Sequence, residues 1–202
     1  MNRLDIINHL IATYHLQNYI EIGVHVGEVL NGCIAKHKVG VDPDYKRYKG
    51  NELVYPNMSD VFFEEMPDDI KADIIFIDGF HEASQVFRDI INSLNHLSDT
   101  GYIIVHDCNP PTKWHTRTYE EYKNTGGDWN GDVYAGYINA CKLFGLTYFT
   151  VDIDWGVGII ISPKKEIEKS DYKSTIEWDY FNENRKELLN LITIENFKSL
   201  FS

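Results

Sequence analysis

Residues 19–27 read Tyr19-Ile20-Glu21-Ile22-Gly23-Val24-His25-Val26-Gly27. Tyr19 to Ile22 make a short strand that Gly23 stops. Beyond Gly27, Val29, Leu30, Cys33 and Ile34 recur at helical spacing. The stretch is therefore a strand-to-helix turn, in which Gly23 lets the backbone bend sharply and Gly27 lets a ligand approach the helix start. Its spacing is Glu-x-Gly-x-x-x-Gly, which differs from the Gly-x-Gly-x-x-Gly of a dinucleotide site.

The same alternation continues on both sides of this turn. Upstream, Leu4, Ile7, Leu10, Ile11 and Tyr14 follow the three- and four-residue steps of an amphipathic helix. Downstream, Val39-Gly40-Val41 is a short strand closed by Asp42-Pro43, and Leu53–Tyr55 offers a third. Asp73–Asp78 and Tyr102–Val105 are nearly all apolar, the mark of strands covered on both faces. Between them Val86, Ile90, Ile91, Leu94 and Leu97 share a helical face, with Gly101 read as the stop. Cys108–Asn130 has Pro110-Pro111, Gly126-Gly127 and little periodicity, and reads as a long loop. Val133, Tyr137, Ile138, Cys141 and Phe144 give a further helix. Strands near Thr147–Val151 and Val157–Ile161 are joined too closely for a crossover, so they must pair antiparallel. A last helix is expected around Glu187–Phe201.

Strands alternating with helices predict an α/β fold: a Rossmann-like, doubly wound, mostly parallel sheet with an antiparallel last strand and helices on both faces. Residues 1–162 read as one domain. Residues 163–202 read as a helical tail packed on that domain or on a partner subunit in a homo-oligomer, and the stretch from Lys164-Lys165 to Lys173 as a solvated face.

The chain has 202 residues with 19 Lys+Arg and 31 Asp+Glu, a formal charge of −12. That balance argues against non-specific nucleic-acid binding, which needs a cationic surplus to neutralise phosphates. No apolar run reaches the ~18 residues of a membrane span, and the opening Met1-Asn2-Arg3-Leu4-Asp5 does not read as a secretory leader. Cys33, Cys108 and Cys141 are odd in number and widely spaced, as expected of free thiols in a reducing cytoplasm.

Ligands of such sheets bind beyond the carboxyl ends of the strands. Four of the strands read as parallel carry an acid there: Glu21, Asp42, Asp78 and Asp107. Asp42, about 20 residues past the glycine turn, is placed to accept hydrogen bonds from ribose hydroxyls. Asp78 and Asp107 end adjacent strands, so their carboxylates can converge on one hard cation. His81, three residues past Asp78, can serve as a neutral imidazole base. His106 precedes Asp107 and by strand alternation is expected on the other face. Ser59-Asp60, before Val61-Phe62-Phe63, also reads as a helix cap.

These residues resemble a family. The acid-x-Gly-x-x-x-Gly turn, the acid ending the second strand and the antiparallel strand after Trp155-Gly156-Val157-Gly158 look like a class I S-adenosylmethionine-dependent methyltransferase. More narrowly, Ile77-Asp78-Gly79-Phe80-His81 and His106-Asp107 are similar to a bacterial subgroup that includes metal-dependent sugar O-methyltransferases. The resemblance implies S-adenosylmethionine as cofactor, its methionine part cradled by Glu21, Gly23 and Gly27, its ribose held by Asp42 and its adenine near Ser59 and Asp60. It further implies Asp78 as a metal ligand close to the cofactor, and His81 as the base that activates an acceptor hydroxyl. Where metal-dependent relatives carry a third oxygen ligand, this chain has Cys108, a poor partner for Mg²⁺. Asn109 can substitute beside Asp78 and Asp107; otherwise water fills the position, or no metal binds and His81 works alone.

The 108–130 segment, with Trp114, His115, Arg117, Tyr119, Tyr122 and Trp129, is expected to overhang the cleft as a lid. The expected partner is a small-molecule or glycan hydroxyl acceptor, without nucleic acid or membrane. Competing readings are a nicotinamide-dependent oxidoreductase, a metal-dependent hydrolase, and a catalytically silent methyltransferase-like binding module.

Overall fold

The computed structural model describes residues 1–168, 170–172 and 174–202. Lys169 and Lys173, within the Lys-rich stretch, lie outside the described residues. The first half of the chain forms α1 (Arg3–Tyr14), β1 (Asn18–Ile22), α2 (Glu28–Gly32), β2 (His37–Val41), β3 (Leu53–Tyr55), α3 (Ser59–Glu65), β4 (Ala72–Ile77) and α4 (Ala83–Asn95). The second half forms β5 (Leu97–Val105), α5 (Tyr119–Thr125), α6 (Val133–Leu143), β6 (Tyr148–Val151), β7 (Val157–Ile161), α7 (Trp178–Leu188), β8 (Leu191–Ile192) and α8 (Ile194–Leu200).

The two apolar runs are central for the reason their composition gives. β4 and β5 pair in parallel in the middle of a single sheet of order β3-β2-β1-β4-β5-β7-β6-β8. Ile75, Ile77, Ile103 and Val105 face one core with α4 and α6, while Ile74, Phe76, Tyr102 and Ile104 face the other with α1 and α8. Each fully buried side chain of this kind contributes about 1.5–3 kcal/mol, so a polar residue on either face would be costly. β7 runs antiparallel to both β5 and β6, as the short connection requires.

Three local expectations are corrected. Leu97 does not continue α4: it opens β5, whose pairing with β4 jumps from Ala72–Leu97 to Ile74–Tyr102 across a bulge. Gly101 lies inside this strand, where an added Cβ would come within 2.8 Å of the Leu97 side chain and 2.9 Å of the Asp73 carbonyl oxygen. Within 108–130, a 3-10 turn at Lys113–Thr116 and the helix α5 replace the expected loop. The α5 signal was a capping box, Thr118 with Glu121, rather than apolar periodicity. The expected last helix is broken by β8, which pairs with β6, and α7 precedes it. Phe181, Leu188 and Leu189 enter one core and Phe197 and Phe201 the other, while β8 joins the same sheet beside β6. Among the described residues, no helix is long and apolar enough to cross a membrane, and the three cysteines are free and buried.

Candidate active site

A cavity of about 380 Å³ opens at the carboxyl ends of β1, β2 and β4. Gly23, Asp42, Ser59 and Asp78 line it, with Phe80 and Tyr119 on its outer side. Gly23 has φ +87°, and a Cβ there would lie 2.2 Å from the Asp78 carbonyl oxygen. Only glycine lets the ends of β1 and β4 approach so closely. Asp42 organises the turn that follows: its Oδ2 accepts from the Val24 and His25 amides (2.9 and 2.8 Å), and its Oδ1 from the Asp44 amide (2.7 Å). Ser59 Oγ donates to Asp89 Oδ1 (2.6 Å), and Gln85 Nε2 donates to both. Burial pushes the Asp89 carboxyl up to about 6 against these bonds.

Three residues expected to hold the cofactor do not line this cavity. Glu21 alternates onto the face of Tyr19, whose hydroxyl donates to its Oε2 at 2.6 Å, and it is 1% exposed. Burial pushes Glu21 up to about 8. Gly27 caps α2 at φ +86°, where a Cβ would collide with the Tyr48 ring at 2.4 Å. Asp60 sits on the first turn of α3 and turns outward to Arg88 and Asn92 (both contacts 3.2–3.3 Å).

Beside the cavity, Asp78, His81 and Asp107 bring one ligand-type atom each within 4.8 Å of one another. His81 Nδ1 donates to the Trp129 carbonyl (3.0 Å) and lies 3.2 Å from Asp107 Oδ2, while its Nε2 lies 3.3 Å from Asp78 Oδ1. In the neutral ring, the proton on Nδ1 leaves the Nε2 lone pair free. His106 is not on the opposite face. Asp107 adopts φ +64°, which breaks the strand alternation and brings His106 and Asp107 into the site together. His106 Nδ1 lies 3.3 Å from Asp78 Oδ1 and 3.2 Å from Asp107 Oδ1, and Asn130 Nδ2 donates to Asp107 Oδ1 (2.8 Å).

Arg3, from the first turn of α1, completes the assembly. Its Nε lies 3.7 Å from Asp78 Oδ2, its Nη1 3.0 Å from Asp154 Oδ2 and 3.3 Å from His106 Nε2. The Arg3 backbone amide also donates to Asp154 Oδ2 (3.0 Å), so the start of α1 is fastened to the β6–β7 turn. Burial alone would raise Asp78, but His106 and His81 outweigh it and hold this carboxyl well below the usual carboxylate range. Burial would likewise lower both imidazoles; Asp78 and Asp154 overcome it at His106, Asp78 and Asp107 at His81, and both rings are raised. Burial raises Asp107. Arg3, Asn130 and Asp154 carried no sequence motif, His106 entered only through the His106-Asp107 pair and was expected on the other face, and only the capping box at Asn2 and Asp5 marks where the Arg3 helix begins.

The third ligand expected for Mg²⁺ is not in place. Asn109 is turned away: its Nδ2 donates to Asp152 (2.9 Å) and its Oδ1 accepts from Arg185 (2.7 Å). The cause is local, since the Cys108 and Asn109 amides pair with the Gly156 and Trp155 carbonyls (3.0 and 2.7 Å) and fix this strand exit. Two carboxylates and an imidazole remain, and each carboxylate oxygen already faces a nitrogen of Arg3, His81, His106 or Asn130.

Over the site, α5 and Trp129 form an aromatic roof. Trp129 stacks on His81 (5.3 Å between centroids) and on Tyr122 (4.7 Å), and Tyr119 meets Phe80 edge-on at 5.0 Å. Arg117 braces the segment through the Trp114, Gly126 and Asp128 carbonyls and lies over the Trp114 ring.

A sequence profile described as a methyltransferase domain matches residues 20–108, a little under half of the chain. That span carries Gly23, Asp42, Ser59, Asp78, His81 and Asp107. No curated protein matches the sequence significantly. Among solved structures, the chain is similar to a provisionally designated caffeoyl-CoA O-methyltransferase from Staphylococcus aureus at 18% identity and a TM-score of 0.55, covering 79% of this chain and 82% of that one. It is also similar to an O-methyltransferase from Bacillus cereus in complex with SAH (15% identity, TM-score 0.51, 79% and 80% covered). A third is the SAH-bound Podospora anserina methyltransferase PaMTH1 (14% identity, TM-score 0.53, 76% of each chain covered). At these identities the likeness establishes the fold.

Proposed function

We propose that this chain, which carries a methyltransferase domain on the fold of class I S-adenosylmethionine-dependent methyltransferases, methylates a small-molecule or sugar hydroxyl with His81 as the base. The observation that carries this reading is the junction of two features at one sheet end. A glycine-floored cavity lies against a histidine whose Nε2 faces an aspartate. Its volume falls in the range of small-ligand sites, about 300–1,000 Å³. Gly23 would allow the close backbone approach, Asp42, which fixes the turn, would hold the ribose, and Ser59 would hold the adenine. The acids lining the cavity suit a cationic ligand. When bound, S-adenosylmethionine supplies an electrophilic methyl group on a sulfonium.

An alcohol is a weak nucleophile at neutral pH and needs a base. His81 Nε2 takes the hydroxyl proton, and the adjacent Asp78 carboxylate stabilises the imidazolium that forms. Trp129 fixes the ring twice, through its carbonyl at Nδ1 and by stacking. The aromatic roof offers apolar faces for a sugar or phenol ring. Residues 1–162 are read as the catalytic unit and 163–202 as a tail packed on it.

The test is a thermal shift with S-adenosylmethionine, S-adenosylhomocysteine and NAD. The adenosyl ligands, well above Kd, should stabilise the fold by about 2–4 kcal/mol. A shift with NAD alone would favour the oxidoreductase reading, and no shift with either adenosyl ligand would end this one. Conversion of S-adenosylmethionine in the presence of sugar and phenol acceptors then separates an enzyme from a silent binding module.

A further inference from the structure

We propose that Arg3 is the built-in cation of this active centre, a positioning residue that takes the place of a divalent metal beside Asp78. The inference rests on the methyltransferase reading and concerns how its charge is balanced. Three carboxylates, Asp78, Asp107 and Asp154, are gathered within one cluster of contacts. Facing them are one guanidinium and two imidazoles, from Arg3, His81 and His106.

Every oxygen of the two strand-end acids already faces a nitrogen. Asp78 Oδ1 faces both imidazoles and its Oδ2 faces Arg3; Asp107 Oδ1 faces His106 and Asn130, and its Oδ2 faces His81. A cation entering here would have to displace these contacts. Arg3 cannot easily be displaced, because two separate groups of the same residue hold it to Asp154: the backbone amide (3.0 Å) and the guanidinium (3.0 Å). A guanidinium stays charged across the whole accessible pH range, so this counter-charge is permanent. Asn109, the residue that would supply a third oxygen, is committed to Asp152 and Arg185. The arrangement places the fixed positive charge on the Oδ2 side of Asp78, opposite His81. It leaves Asp78 Oδ1 as the oxygen that meets the His81 ring. The N-terminal helix thereby becomes part of the active centre.

The experiment titrates Mn²⁺ and Mg²⁺ into wild type, Arg3→Met, Arg3→Gln and Arg3→Lys, each stripped with chelator, and reads the melting temperature and, for Mn²⁺, the loss of the free-ion magnetic resonance signal. Wild type and Arg3→Lys are expected to bind neither metal at about 1 mM, a large excess over the Kd of a tight site. Arg3→Met or Arg3→Gln, with the charge vacated, should bind Mn²⁺ and gain about 5 °C or more in melting temperature, a gain removed by a second substitution Asp78→Asn. Saturable Mn²⁺ binding to the wild type that Asp78→Asn abolishes would overturn the proposal. So would Arg3→Met and Arg3→Gln variants that fold and still bind no metal. If neither folds, the wild-type titration decides. S-adenosylhomocysteine is added to the same samples. A shift with it alongside metal binding by the wild type refutes the role of Arg3 and leaves the methyltransferase reading standing, whereas no shift with it refutes that reading itself.

Discussion

Replacing Glu21 by Gln should remove a loss of stability that grows with pH, so that the variant gains on the wild type as the pH rises. Glu21 is 1% exposed beneath the glycine turn, with Tyr19 donating to one of its oxygens. Burial outweighs that bond and pushes the carboxyl from 4.5 up to about 8. Between these values the folded chain keeps a proton that the unfolded chain has lost, so this group's contribution to stability is greatest at low pH. It declines as pH rises through the window and levels off above about 8. A displacement of about 3.5 units at 1.36 kcal/mol each gives a loss of roughly 5 kcal/mol, an upper figure comparable with the whole stability of a small domain. Gln retains an oxygen for the Tyr19 hydroxyl and carries no titrating proton. Urea unfolding of both proteins at half-unit steps from pH 5 to 8.5, followed by tryptophan fluorescence, isolates Glu21, because the other titrating groups cancel in the difference. The advantage of E21Q should be small near pH 5 and grow by about 1 kcal/mol per pH unit up to pH 8. A difference that stays constant across the range would refute the buried, protonated Glu21.

Three further outcomes are expected at the cavity and its roof. Gly23→Ala should cost about 2 kcal/mol or more in urea unfolding and abolish the shift with S-adenosylhomocysteine, since its Cβ would meet the Asp78 carbonyl at 2.2 Å in a left-handed backbone. His81→Ala should lower kcat by about 10²–10⁴-fold with S-adenosylhomocysteine affinity unchanged in calorimetry. The wild-type rate should also rise with pH through a midpoint above 6.5, because the base works as the neutral ring and its neighbours raise it. Trp129→Ala removes the stacking on His81 and Tyr122, and steady-state kinetics should show a raised KM for the acceptor with cofactor affinity retained.

The strands and their ends were legible because each signal is local. Strands covered on both faces must be apolar throughout, as Ile74–Ile77 and Ile103–Val105 are, and the residue after the last apolar one falls at the ligand-binding edge. Asp42 and Asp78 could be placed on the cavity from that rule alone. Alternation hid Glu21, since a strand of period 2 sends it to the Tyr19 face. The short helix α5 was missed because its seven residues are held by a cap and by aromatic contacts, neither of which shows as periodicity. Leu97 was misplaced because an apolar residue after a helix fits either the last turn or the next strand.

The sequence by itself determined the α/β class, the antiparallel final pair and the row of strand-end acids. Those properties follow from residue spacing and from the length of connections. Only the tertiary structure decided which charges meet. Arg3, Asp78, the His106-Asp107 pair, Asn130 and Asp154 come from separate segments of the chain, and two features decide their meeting: the positive φ of Asp107 and the docking of α1 on Asp154. A side chain's partner across 151 residues is fixed by how helices and turns stack on the sheet. No local pattern records that, and so the counter-charge of Asp78 emerged only in the fold.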